Sequence, residues 1–579
     1  MGKVGVVLCP CELEGVSRFD PKGVLEGLRG KEGILLFEDS PSICSESGME
    51  ALRAFLGEGE VDRAVVACQK PDLLAPTFKR ALGRWGFDFS LSDVVDIGPA
   101  LETGDGSDPQ GTTEKVLSAI EAGIKGVRGR SPAKKGEGAF LTRAMVIGGG
   151  IAGITASIDL GNAGYEVLLV DRLPSIGGRM LQLSETFPTL DCAQCTLTPK
   201  TVETGQHPNI RLVTYSEIES VTGETGNFLV KVRRKAAYVD WTKCTGCGLC
   251  QEKCPSKVPS EFERGIGPGK AIYTLSPQAV PNKPVINREV CRYFTRGKCR
   301  VCEKICPAGA IDYEQEDAFI EERVGAIIVA TGFDLYPKEE IGEYGYGDVP
   351  DVIDGLAFER LLSASGPTAG EIRRPSDGRI PKEVVFIECV ASRDPERYMP
   401  YCSRACCMYT GKHARLYKHK VHDGRAYIFY MDIRSMGKGY EEFIQQGMEE
   451  DGILYLRGRV SRLFRDNGHV AVWGVDTLTG KKVEIAADMV VLATAMIPSR
   501  GVKELAEKLH IKTDEYGFLT EAQWKLYPVE TEVEGIYLAG CAQGPKDIAD
   551  TVAQGNAAAS KVQTLFSQHR NSSLPRSDS

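Results

Sequence analysis

Short apolar runs alternate along most of the chain with stretches whose apolar positions recur every three to four residues, a pattern of strands and amphipathic helices in succession. Over residues 1–125 the runs Val4–Leu8, Ile34–Phe37 and Arg63–Ala67 alternate with the helix-compatible stretches Gly48–Leu56 and Ala75–Trp85, which predicts a small α/β domain. The next stretch, KGVRGRSPAKKGEGAFLTR, is basic and rich in glycine and predicts a linker over 126–143. From Ala144 the sequence AMVIGGGIAGITASIDLGNAGYEVLLVDR reads as strand, glycine turn, helix and second strand, a βαβ unit. The alternation stops over 236–315, where periodic hydrophobic segments are almost absent. It resumes with VGAIIVATGF, VVFIECV, MVVLATA and GIYLAG. Residues 236–315 therefore read as an insert in a larger α/β domain made of 144–235 and 316–565, followed by a flexible tail over 566–579.

Composition narrows the function classes. The 579 residues exceed one ordinary domain, and no apolar run approaches the ~18 residues of a membrane span. A net charge of -9 argues against a nucleic-acid partner. The start MGKVGVVLCP lacks the plan of a secretory signal, so the 19 cysteines are expected as free thiols in a cytoplasmic protein. Eight of them lie between Cys244 and Cys306. Clustered thiols in a reducing compartment bind metal or carry redox chemistry.

Gly148, Gly150 and Gly153 form G-x-G-x-x-G between strand and helix, with Ala152 inside the turn. The first glycine permits the turn, the second lets the backbone approach a pyrophosphate, and the third allows close helix–strand packing. Asp171 closes the next strand 18 residues after Gly153, where an acid accepts bonds from a ribose, and Arg172 follows it. Gly177, Gly178 and Arg179 come next in SIGGR. Ala330-Thr331-Gly332 ends a later strand, and Gly540 and Cys541 precede a final helix containing Thr551. In this order the segments resemble the thioredoxin-reductase-like flavoproteins with two dinucleotide-binding domains, which implies FAD. The family's acid after the last strand's glycine is replaced by Cys541. Its second glycine fingerprint is also missing: the strand Val384–Val390 runs into ASRDPERYMPYCSRACC, leaving a vestigial NAD(P)H-like subdomain over 376–490 with cysteines in it and a second FAD-binding part over 491–565.

Cys244, Cys247, Cys250 and Cys254 follow C-x2-C-x2-C-x3-C-P, and Cys291, Cys299, Cys302 and Cys306 repeat the plan with a longer first gap. In bacterial ferredoxin runs the fourth cysteine ligates the other cluster. One [4Fe–4S] cluster is thus expected on Cys244, Cys247, Cys250 and Cys306, the other on Cys291, Cys299, Cys302 and Cys254. A pair of zinc sites is the alternative, disfavoured by the doubled run and its trailing prolines. Cys389, Cys402, Cys406 and Cys407 are a candidate third ligand set, and Cys9, Cys11, Cys44 and Cys68, at or beyond strand ends, a fourth. Cys192 and Cys195 read as an extra ligand or a redox pair.

Together VIGGGIAGITASIDL, PSIGGRMLQLSETFPTLDCAQCTLTPK, the insert and CSRACCMYTGKHA closely resemble the HdrA family, the flavin-bearing component of heterodisulfide reductase and its relatives. The resemblance implies an α/β multidomain protein with a thioredoxin-reductase-like FAD core, an inserted bacterial-type ferredoxin domain and a small N-terminal α/β domain. It implies electron bifurcation or confurcation at the flavin, and a catalytic role for Lys412 near the flavin N5. The implied partners are HdrB- and HdrC-like subunits, an electron-input subunit of hydrogenase, formate or NADH dehydrogenase type, ferredoxin, and a second copy of the chain. Many relatives carry a further ferredoxin segment after the core, whereas the last cysteine here is Cys541, so the low-potential route is expected through the insert or a partner. A non-bifurcating ferredoxin- or NAD(P)H-linked reductase, an electron-feeding component of another low-potential reductase, and a zinc scaffold retaining FAD are the competing readings.

Overall fold

A computed structural model describes residues 2–9, 20–37, 43, 45–57, 61–69, 71, 75, 78, 81–83, 85–102, 108–130, 139–337 and 340–572. The chain divides into one unit of Met1–Glu137 with Ala522–Pro528 and a second of Gly138–Glu521 with Val529–Ser579.

In the first unit four parallel strands lie in the order Ile34–Phe37, Val4–Leu8, Arg63–Cys68, Ser92–Asp96. Because alternate residues of a strand face opposite ways, Val4, Val6 and Leu8 pack under Leu28, Val116 and Ile120, while Val7 and Cys9 face Leu52, Phe78 and Leu82. Both flanking helices of the first face start on an Asp-Pro pair. Asp20 accepts from Lys22 N before Pro21–Leu28, and Asp108 from Gly111 N before Pro109–Arg128. The second helix continues through Arg128, so the linker expected at 126–143 begins later than its glycines and charges indicate.

The second unit repeats one layered plan twice. Its first parallel sheet runs Ile536–Leu538, Ala326–Val329, Arg143–Ile147, Glu166–Val170, Ile210–Val213. Helices Ile151–Asn162, Ala193–Gln206 and Ile548–Ser572 cover one face, and an antiparallel sheet of Ser216–Glu224, Asn227–Arg234 and Ala318–Val324 covers the other. The second parallel sheet runs Val352–Asp354, Met489–Thr494, Glu383–Val390, Arg425–Tyr430, Leu454–Arg457, between helices Gly355–Leu362 and Cys406–Lys420 on one side and a second three-stranded antiparallel sheet on the other. This is the two-dinucleotide-binding architecture that the sequence predicts, although the second sheet starts at Val352, not 376, and takes in Met489–Thr494, which pairs between the edge strand Val352–Asp354 and Glu383–Val390.

Arg234 pairs with Ala318 in adjacent antiparallel strands, so the cysteine-rich insert leaves and re-enters at one edge of a hairpin, where an insertion disturbs little. The tail expected from 566 is helical through Ser572. Phe566 is fully buried, its ring 5.1 Å from that of Tyr165, and continues the apolar stripe Ala558, Ala559, Val562, Leu565. Among the described residues no helix is long and apolar enough to cross a membrane.

Candidate functional site

The glycine turn is built as its spacing requires. Gly148 has φ +107°, and a side chain there would strike the Ala330 carbonyl; one at Gly153 would strike the carbonyl of Gly148. Gly150 begins the helix Ile151–Asn162 without any side-chain cap, which leaves first-turn N–H groups for an anion. Asp171 accepts from Gly149 N at 2.6 Å and Leu173 N at 2.7 Å, so the acid braces the turn as well as closing the strand. Burial holds its carboxyl above the usual range, against these N–H donors.

These residues open onto a cavity of about 2060 Å³, lined by Gly148, Gly150, Ala152, Asp171, Arg172, Gly178, Arg179, Ala330, Thr331, Gly332, Cys541 and Thr551. That is larger than the roughly 300–1,000 Å³ of an ordinary small-ligand pocket and suits an extended dinucleotide. Gly153, Gly177 and Gly540 do not line it; they serve close packing. A Cβ on Gly540 would come within 2.9 Å of Ala152 Cβ and 3.0 Å of Thr551 Cγ2. Gly177 has φ +122° and lets Gly178 approach Gly150. Arg179 pairs with Asp334 at the cavity wall, and the buried hydroxyl of Thr331, also in that wall, has no protein partner. Cys541 stands where the family carries an acid. Its buried thiol donates to the Lys546 carbonyl at 3.5 Å.

The insert forms part of the same wall. Gly246, Gly248 and Gln251 line the large cavity, and they also line a second of about 20 Å³ whose wall holds Cys244, Cys247, Cys250 and Cys306. Cys254, Cys291 and Cys302 pack together in the core of the insert with Ile272, Ile286 and Tyr313, and the Tyr313 hydroxyl lies 3.1 Å from Cys302 Sγ. Desolvation pushes the Cys250 thiol up to about 11 and that of Cys302 upward, the direction that ligation by a cation reverses. Cys299 is half-buried with φ +109°. Among the described residues no three His, Cys, Asp or Glu side chains are arranged as around a single metal ion. In a cubane each thiolate takes a separate iron, so a ring of four spaced thiols suits it.

At the end of the strand Glu383–Val390 and just beyond it the backbone takes positive φ at three non-glycine residues, Cys389, Ala391 and Arg393, and again at Arg404. Such positions cost about 1–3 kcal/mol each and persist where the surroundings impose them. They bring Cys389, Cys402 and Cys407 into hydrogen-bonding reach of the Cys406 thiol. Sharing the Cys406 proton within this group lowers Cys402 to about 5 and Cys407 to about 7 and raises Cys406. Thiolate is the metal-binding form. Helix Cys406–Lys420 then carries Lys412 into the large cavity, ~9 Å along the axis from Cys406. Cys192 and Cys195 are exposed, their Sγ atoms 2.6 Å apart at the start of helix Ala193–Gln206, and neither lines the cavity. Cys9 and Cys68 are buried on one face of the first unit's sheet; Cys11 and Cys44 lie outside the described residues.

Residues 146–213 match a NAD(P)-binding Rossmann-like domain and residues 237–260 a 4Fe-4S binding domain. The HdrA component of the H(2):CoB-CoM heterodisulfide,ferredoxin reductase of Methanothermobacter marburgensis is 42% identical over 97% of this chain and 84% of its own. The chain belongs to the HdrA family of heterodisulfide reductases. The corresponding iron-sulfur component of the CoB--CoM heterodisulfide reductase of Methanocaldococcus jannaschii is 40% identical over 98% of this chain and 86% of its own. Among solved structures, thioredoxin reductase of T. acidophilum covers 73% of this chain and 97% of its own at 14% identity, with a TM-score of 0.41. As an HdrA protein the chain is an iron–sulfur flavoprotein oxidoreductase whose cofactors are FAD and [4Fe–4S] clusters.

In this HdrA protein three groups in or just behind the cavity wall are not marked by the sequence. Glu359 and His413 are buried beside Lys412, and Ser184 donates to Glu359 from the segment after Arg179. A fourth, Glu388, is buried against Cys407 with one carboxylate oxygen unpartnered, and burial raises its pKa well above the usual carboxylate range. The sequence contexts of Glu359 and Glu388, AFERLL and VFIECV, mark those two only as acids within apolar runs.

Proposed function

We propose that the protein is the flavin-bearing electron-transfer component of a heterodisulfide-reductase-like complex, which bifurcates an electron pair between low-potential ferredoxin and a higher-potential acceptor. The observation that carries this reading is the shared wall: one short segment, Gly246–Gln251, borders both the glycine-turn cavity and the cavity of four thiols. A two-electron site and a one-electron site so separated are what splitting a pair requires. FAD, when bound, takes electrons in pairs and releases them singly, and cluster potentials span about -700 to +450 mV according to their surroundings.

The glycine turn, Arg172, Arg179, Thr331 and Thr551 would hold FAD, with Lys412 close to its reacting ring. The cavity size, the bare helix N-terminus and the orphaned Thr331 hydroxyl fit such a group. Cys244, Cys247, Cys250 and Cys306 would hold one cluster, and Cys291, Cys299, Cys302 and Cys254 the second. Cys389, Cys402, Cys406 and Cys407 would hold a third where a pyridine nucleotide otherwise binds, which agrees with the absence of a glycine fingerprint after Val390. Cys9, Cys11, Cys44 and Cys68 are the candidate fourth set. Cys192 and Cys195, exposed and adjacent, act as a ligand pair toward another centre or as a redox dithiol.

One relative is named for reduction of the CoB–CoM heterodisulfide and of ferredoxin, another as a ferredoxin- and F(420)H(2)-dependent CoB–CoM heterodisulfide reductase. For this chain the corresponding partners are HdrB- and HdrC-like proteins, an input component of hydrogenase, formate or NADH dehydrogenase type, ferredoxin and a second copy of itself, in the cytoplasm. The test is acceptor coupling in the purified complex. Ferredoxin reduction should require the simultaneous presence of the high-potential acceptor, with equal electron flow to both. Ferredoxin reduced at the same rate without that acceptor would mark a simple, non-bifurcating reductase.

A further inference from the structure

Helix Gly355–Leu362 is buried on every side, yet it carries two charged residues, Glu359 and Arg360. Glu359 faces the cavity from one side as Lys412 and His413 face it from helix Cys406–Lys420. Lys412 Nζ and His413 Nε2 both donate to Glu359 Oε1, the second at 2.6 Å. Ser184 donates to Oε2 through its N at 2.9 Å and its Oγ at 2.8 Å. Lys412 also donates to the Glu185 carbonyl at 2.7 Å, so two of its three N–H groups are engaged and one remains for an occupant of the cavity.

We infer that Glu359 is a positioning residue which fixes the Lys412 ammonium in the flavin cavity and offsets its charge, so that the pair together sets how readily the cavity accepts electrons. The inference rests on the proposed flavin site.

The carboxylate accepts from four donors. Lys412 and His413 hold its carboxyl far below the usual range, against burial, so it stays an anion. His413 is itself depressed by burial. As a neutral ring whose Nε2–H points at Glu359, it presents Nδ1 as a buried lone pair without a partner, and it adds no charge. The other titratable groups nearby are Glu185 and Tyr409, the second packed 5.4 Å from the His413 ring. One cation and one anion thus face each other in a buried wall, where charges act at longer range than in water. Electrons entering the cavity meet a Lys412 already partly neutralised by Glu359.

Two signs follow. Removing the anion while keeping its shape, Glu359→Gln, exposes the ammonium and should raise the flavin midpoint potential. Lys412→Met exposes the carboxylate and should lower it. The double variant removes both charges and should return close to wild type, while Glu359→Asp, which keeps the anion, should stay near wild type. A group that merely supports the fold moves FAD content and produces no opposed shifts.

The experiment is an anaerobic reductive titration of the full-length chain followed by flavin absorbance, with FAD content measured in each sample. Opposed shifts in the single variants support the assignment. A Glu359→Gln shift of the same sign as Lys412→Met, no shift at all, or a Glu359→Asp shift matching Glu359→Gln overturns it. Should Glu359→Gln alone lose FAD, the double variant decides: a near-wild-type potential supports the pair, and loss of FAD there too overturns it. Wild-type protein without FAD overturns the flavin site itself, whereas FAD-loaded variants without opposed shifts overturn only the role of Glu359.

Discussion

Cys306, the last cysteine of the second run, shares the wall of one small cavity with Cys244, the first cysteine of the first run. The runs are therefore interleaved in space, which favours ligand sets drawn from both runs. Cys306→Ala should remove about four irons and give the same electron paramagnetic resonance spectrum as Cys244→Ala. It should differ from Cys299→Ala. Identical spectra for Cys306→Ala and Cys299→Ala would mean that each run holds its own cluster.

Gly153→Ala places a methyl group against the Gly148 carbonyl, where backbone has to move. The glycine turn opens at the point where Asp171 braces it through Gly149. FAD content should fall at least severalfold while iron content holds, because the insert is built from separate hairpins. Measuring both on one preparation checks this; equal loss of iron and flavin would indicate general misfolding.

The insert is held to the core by two crossed ion pairs. Glu263 of the insert accepts from Arg360 at 2.8 Å, and Arg264 donates to Asp354 at 2.7 Å, the acid that also caps helix Gly355–Leu362. Arg360 is 1% exposed. Arg360→Leu strands Glu263 and should cost about 3 kcal/mol, the usual penalty for breaking such a pair on one side. Thermal unfolding gives the cost, and limited proteolysis should show faster cleavage near 260–267; unchanged cleavage would mean that the pairs do not anchor the loop.

His413 gives a pH dependence with a definite sign. Burial keeps its folded-state pKa below the ordinary 6.5, so the unfolded chain binds a proton that the folded one refuses. The stability this group supports is complete above about 6.5 and is lost as the pH falls below it, by up to ~1.4 kcal/mol per unit. Glu359, also depressed, acts in the same direction at lower pH. Denaturant unfolding at pH 7.5 and 5.5 should show a smaller acid loss in His413→Gln than in wild type; equal losses would assign the slope to other groups.

The ligand spacing and the glycine turn are legible in the sequence because each depends on neighbours within a few residues. Cys244–Cys254 and Gly148–Gly153 carry their geometry locally. Glu359 is not legible, since its meaning comes from helix Gly355–Leu362 lying across from Lys412, a contact between segments far apart in the chain. Hydropathy marks Glu359 and Arg360 as surface residues, and burial on all sides of their helix reverses that. Phe566 is hidden for a similar reason: polar residues after His569 obscure a buried ring that extends the last helix.

The central claim, that a flavin and iron–sulfur clusters share this chain, is tested most directly by anaerobic purification with iron, sulfide, zinc and flavin counted on the same sample. The expected result is one FAD per chain with at least ~8 irons and as many sulfides, the content of two cubanes, reducible by dithionite. Stoichiometric zinc with little iron, or no flavin, would contradict it.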